Sequence, residues 1–205
     1  MLETIIKTIH NLLYFLIFSS FSLIAACDEE RPLLNSERIQ QRFGNYGVDV
    51  VRSAAGLRVS NLYSEDAGER TCRTYAIVEF MQPVDPRIAP VHARILAGES
   101  IGSSLRDAGW AVHKKLTYIG EMPLTDPHSE LARLMQVAAP RSLAIHAYDF
   151  GVSRNGQELA YASIVEIHHP DYLDVQQLRA IYGDSGEAAP PLRLPRETVG
   201  DPPRL

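Results

Sequence analysis

The sequence predicts an α+β fold, a mostly antiparallel sheet of about five or six strands with helices packed on one face. Three observations carry this reading. Alternating apolar runs come in adjacent pairs, as hairpins require, at Val48 to Arg52 with Leu57 to Tyr63 and again on either side of Asn155-Gly156. Asn-Gly between two long alternating runs favours a two-residue type I′ turn, which also sets the register. The element order reads β-β-β-α-α-β-α-β-β-α, whereas a doubly wound parallel fold needs strands and helices to alternate throughout.

Each element has a local reason. A short helix from Ser36 to Phe43 is stopped by Gly44-Asn45. Val48 to Arg52 and Leu57 to Tyr63 form a hairpin across Ser53-Ala54-Ala55-Gly56, and Ser64 to Arg70 reads as a polar turn. Arg73 to Met81 is a strand with Thr74, Ala76, Val78 and Phe80 on one face. Pro83, Pro86 and Pro90 punctuate its exit; Ile88, Val91, Ile95 and Leu96 then repeat at helical spacing, with Pro90 in the first turn where its missing N–H is tolerated. A second short helix runs from Ser100 to Ala108 and ends at Gly109. Trp110, Val112, Leu116 and Tyr118 mark one buried face of the next strand, and Pro127 leads into a helix with Leu131, Leu134 and Met135, closed by Pro140.

In the last hairpin the Asn155-Gly156 turn pairs residues whose numbers sum to 311. One face then collects Val152 with Leu159, Phe150 with Tyr161, Tyr148 with Ser163, His146 with Val165 and Ala144 with Ile167, a core face. The other carries Asp149, Glu166, Ala147, Ala160 and Ala162 and is more polar. His168-His169-Pro170-Asp171 ends the strand, Val175 to Tyr182 forms the last helix, and Gly183 closes it. Residues 184 to 205 hold five prolines and little apolar density, so an extended or disordered tail is expected.

Composition excludes some function classes. The 205 residues are 45% hydrophobic and 22% charged, ordinary for one globular domain, here 36 to 183. A formal charge of −5 with basic and acidic residues interleaved leaves no footprint for nucleic acid. There are two cysteines, Cys27 and Cys72. If the first is modified, the second has no partner for a disulfide, and at the start of an apolar strand it reads as a small buried residue.

Leu12 to Ala26 is uncharged and mostly apolar, shorter than the about 20 residues a spanning helix needs, and ends in small residues. Ile24-Ala25-Ala26-Cys27 resembles the lipobox of bacterial lipoprotein precursors. The resemblance implies that residues 1 to 26 are a removed signal peptide and that Cys27 becomes a lipidated amino terminus with two or three acyl chains on a tether of residues 27 to 35. A single chain would hold only marginally. Asp28, reinforced by Glu29, resembles the signal that retains lipoproteins in the inner membrane, with the outer membrane as the alternative.

The chemical candidates within the domain are few. Gly98-Glu99-Ser100-Ile101-Gly102 matches the nucleophile elbow of serine hydrolases, which needs Ser on a sharp strand-to-helix turn; Asp149 with His168 or His169 could complete a triad. The competing reading is a Gly break between helices with Ser100 as N-cap. His168, His169 and Asp171 suggest a metal, although adjacent strand residues point to opposite faces. His146, on the core face, reads as a buried neutral histidine bonded to the Tyr148 or Ser163 hydroxyl, and Trp110, Tyr118, Phe150 and Tyr161 as core or as the lining of an apolar cavity. No cofactor is implied. The expected function is that of a membrane-anchored periplasmic lipoprotein acting as a binding or accessory module for an envelope protein partner; the alternatives are a small serine hydrolase using Ser100 and a His-dependent metal-binding protein.

Overall fold

The computed structural model describes residues 32–54 and 56–184. Cys27, Asp28, Glu29 and the tail from 185 onward lie outside the described residues. No helix among the described residues is long and apolar enough to cross a membrane.

The unit that begins at Leu34 has the expected α+β architecture. In chain order it runs α1 (Asn35–Phe43), β1 (Gly47–Ala54), β2 (Leu57–Asp66), β3 (Glu69–Phe80), α2 (Ala89–Leu96), α3 (Ile101–Asp107), β4 (Ala111–Leu124), α4 (Glu130–Met135), β5 (Arg141–Arg154), β6 (Gln157–His168) and α5 (Val175–Tyr182). The six strands form one sheet in the order β1-β2-β3-β6-β5-β4, every pairing antiparallel. The first three strands form a meander and the last three another, joined where β3 pairs β6.

Local chemistry fixes the ends. Gly44 takes a left-handed φ of 81° and closes α1, and Pro90 sits in the first turn of α2. Asp174 and Gln177 form a reciprocal capping box at the start of α5, each bonding the other's backbone N–H. The polar stretch from Ser64 to Arg70, expected as a turn, is instead mostly strand. Only Ala67-Gly68 turns, both with positive φ, and Asp66 pairs with Glu69 because a ladder continues past the core wherever its side chains can stay in water.

Two β-bulges correct the expected faces. Asn155 (φ 54°) and Gly156 (φ 75°) make the anticipated turn, and pairs sum to 311 from Arg154 with Gln157 as far as Gly151 with Ala160. Tyr161 is then an extra residue, and beyond it Phe150 faces Ala162 and the sum becomes 312. His146 therefore opposes Glu166, not Val165, and Ala144 opposes His168, not Ile167. A one-residue slip moves every later side chain of one strand to the other face. In β4 a bulge at Thr117 likewise sends Tyr118 to the opposite face from Val112, Lys114 and Leu116.

Helices cover both sheet faces, where the sequence predicts them on one. One is packed by α1, α2, α3 and α5: Phe80, Phe150 and Ile164 meet Val91, Ile95 and Leu105, while Ala144 and Ile119 meet Ile39 and Leu178. The other carries α4, whose Ala132 and Met135 pack on Tyr75, Ile77, Ile145, Val165 and Ile167. Each large aliphatic buried there contributes about 1.5–3 kcal/mol.

Candidate functional site

The face beneath α1 and α3 is apolar at its ends and polar in the middle, and the ladder explains why. Thr74 pairs with His168 across β3 and β6, and His146 with Glu166 across β5 and β6, so all four side chains rise from the same face. Asn35, in the first turn of α1, and Tyr172, from the loop before α5, reach down to them.

The result is a continuous buried train. The Tyr172 hydroxyl donates to Asn35 Oδ1 at 2.6 Å, and Asn35 Nδ2 donates to Thr74 Oγ1 at 3.1 Å. Thr74 Oγ1 lies 3.0 Å from His168 Nδ1, and His168 Nε2 lies 2.9 Å from His146 Nδ1. His146 Nε2 ends 3.4 Å from Glu166 Oε2. Thr74, His146 and His168 have no measurable exposure, and Glu166 is 4% exposed. The imidazole of His146 stacks on Tyr148 and Tyr182 at centroid distances of 5.1 and 4.7 Å. Burial disfavours the charged ring in both histidines. It brings the His168 pKa down to about 4 against the opposing pull of Glu166, and it holds His146 well below the usual range, aided by His168, Lys114 and Arg38.

Glu166 lines a partly open cavity of about 60 Å³, bounded by the sheet and by the first residues of α1 and α3. Two cations share it. Arg58 is 1% exposed and has no carboxylate partner among the described residues. Its Nε donates to Ser60 Oγ at 2.8 Å, and its Nη1 donates to the carbonyls of Ile95 and Glu99 at 2.7 and 2.9 Å. Ile95 belongs to the last turn of α2, where unpaired carbonyls and the helix dipole favour a positive charge. Nη2 makes no hydrogen bond among the described residues. Lys114 lies with its ammonium 4.2 Å from the Tyr148 ring centroid, and burial lowers its pKa while Glu166 raises it.

The sequence-derived candidates fare unevenly. Ser100 lines the cavity but sits between α2 and α3, so the strand that should lead into a nucleophile elbow is a helix. It occupies the N-cap position of α3 with extended backbone, and it accepts a 3.4 Å hydrogen bond from Ser103. No described histidine bonds to it, and Asp149 is on the opposite sheet face, accepting from Ser163 at 3.1 Å. The proposed triad is not assembled.

His168 and His169 diverge, as strand alternation requires. His169 Nδ1 accepts from the Asp171 backbone N–H at 3.0 Å, and its ring stands 3.9 Å from the Asp171 carboxylate. The grouping of His168, His169 and Asp171 is therefore replaced by His146, Glu166 and His168, which bring three ligand atoms within 4.8 Å of one another. That donor set suits zinc. Against it, the His ligand atoms already face one another as hydrogen-bond partners, and Lys114 and Arg38 add positive charge where a dication would sit.

The hydroxyl partner expected for His146 is also corrected: His168 takes that place, Tyr148 stacks instead, and the bulge moves Ser163 to the opposite face. Phe150, Trp110 and Tyr161 are core with α2 and α3, whereas Tyr118 packs on the α4 side. Cys72 is fully buried and its thiol is pushed up to about 12 by desolvation, the small core residue expected.

Arg58, Lys114, Thr74, Asn35 and Glu166 were not singled out from sequence. Two signals were present. Glu166 is a lone charge in the apolar run from Ala160 to Ile167, and Lys114 falls between Val112 and Leu116 at a core-facing position.

No family model matches the chain, and no curated protein matches it. One solved structure does, titled "Crystal structure of PhnF C-terminal domain", with 14% identity over 70% of this chain and 79% of that one. Its TM-score is 0.41.

Proposed function

We propose that the chain is a bacterial lipoprotein, held by lipid on Cys27 at the periplasmic face of the inner membrane. Its α+β domain serves as a binding or accessory module of the envelope and takes a small anion in the cavity beneath α1 and α3. Arg58 carries this reading. A buried guanidinium without a carboxylate partner is costly to hold, and this one keeps Nη2 free of hydrogen bonds among the described residues. With Lys114 opposed by Glu166, the charge facing the cavity sums to one positive unit. An anion neutralises it.

Isothermal titration of the mature full-length protein in detergent with acetate and inorganic phosphate is the test. Saturable binding, lost in both Arg58→Gln and Lys114→Gln, supports the reading; no heat with the wild type overturns it. Mass spectrometry of the amino-terminal peptide checks the anchor. A diacyl or triacyl adduct on Cys27 is expected, and an unmodified peptide beginning elsewhere would refute it.

A further inference from the structure

The train that ends at Glu166 has a direction, set by the chemistry of its ends. A carboxylate only accepts, so the favourable arrangement puts the proton of His146 on Nε2, facing Glu166. A neutral His146 then accepts at Nδ1, and His168 donates to it from Nε2 and accepts at its own Nδ1. Thr74 donates its one hydroxyl proton there and accepts from Asn35 Nδ2. Asn35 Oδ1 in turn accepts from Tyr172, whose hydroxyl can only donate to a carbonyl. Both ends impose the same polarity.

The last link is the loosest. At 3.4 Å the His146–Glu166 approach is longer than a good hydrogen bond, and it leaves both His146 Nε2 and Glu166 Oε2 buried without a hydrogen bond among the described residues. The Tyr148 hydroxyl bears on the same carboxylate, yet one carboxylate oxygen left unpaired is expensive unless something donates to the group. The cavity that the Glu166 side chain lines holds roughly four to six water-sized positions by volume. That fits a molecule of about five non-hydrogen atoms.

We infer that Glu166 is the specificity-determining acceptor of this cavity, with His146, His168, Thr74 and Asn35 as positioning residues, and that the ligand is a small hydroxycarboxylate. Its carboxylate meets Arg58 and Lys114, and its hydroxyl donates to Glu166. This rests on the anion-binding reading above. Charge decides between hydroxy and amino acids: a hydroxycarboxylate cancels the net positive unit, whereas a zwitterion leaves it uncompensated.

The test compares acetate with glycolate by isothermal titration of the mature full-length protein. Wild type should bind glycolate at least about tenfold more tightly, the scale of a hydrogen bond to a charged acceptor. Glu166→Gln should reduce that preference to about twofold or less. Glu166→Asp, which withdraws the carboxylate, should do the same and serves if the Gln variant does not fold. Equal affinity of the two acids for wild type overturns the inference and leaves the anion reading intact, as does an undiminished glycolate preference in the variants. Failure of both acids to bind overturns this inference, and failure of inorganic phosphate as well overturns the anion reading with it.

Discussion

The two faces of the central strands are built from alternate residues of the same segments, and they could hardly differ more. On the α4 side, Ile145, Ala147, Val165 and Ile167 form an apolar layer with Tyr75 and Ile77. One step along each strand, His146, Glu166, His168 and Thr74 form a polar train beneath α1. The difference teaches a division of labour. The first face supplies burial energy throughout, while the second supplies it at its ends and holds in its middle groups that cost stability and are tied to one another by hydrogen bonds.

Breaking the apolar layer should give the largest effect. Ile167→Ala removes a fully enclosed side chain and should cost about 2–5 kcal/mol by urea denaturation, as a transfer loss plus a cavity. A loss below about 1 kcal/mol would mean that the α4 face contributes little burial energy.

Acid sharpens the contrast from the other side. The folded pKa of His168, about 4, lies below its ordinary value of about 6.5, so the unfolded chain takes up the proton first. Stability is therefore complete above pH 6.5 and falls as the pH drops toward 4. The loss should be about 2 kcal/mol between pH 7 and pH 5, a window in which unperturbed carboxylates titrate little. His146, shifted the same way, adds to it. Urea midpoints at the two pH values measure this; His168→Gln should flatten the dependence, and an unchanged slope in that variant would assign the acid sensitivity elsewhere.

The smallest effect belongs to Cys72. Its thiol, on the apolar face and raised to about 12, should react with Ellman's reagent only as fast as the protein opens, and Cys72→Ala should cost roughly 1 kcal/mol. Rapid labelling of the native protein would place it outside the core.

The sequence made most elements legible because their signals are local. Gly44, Pro90, Gly109, the Asn155-Gly156 turn and Gly183 each mark a boundary through their own backbone preferences. The site was not legible for a reason equally physical. The bulge at Tyr161 has no sequence signature as clear as the turn it follows, and it changes which residues face each other for the rest of the hairpin. Without it, Glu166 falls on the opposite face from His146, and no polar cluster forms. Arg58 was hidden differently: its partners are the carbonyls of Ile95 and Glu99, which depend on where α2 ends against β2 and on no side-chain pattern.

The central claim is that the polar face is a proton-ordered train aimed at Glu166, and long-range nitrogen NMR of the histidine-labelled protein at pH 7 tests it most directly. Both His146 and His168 should be neutral with the proton on Nε2, and a scalar coupling across the hydrogen bond should link His168 Nε2 to His146 Nδ1. A proton on Nδ1 of either ring, or a charged imidazolium at either position, would contradict the account.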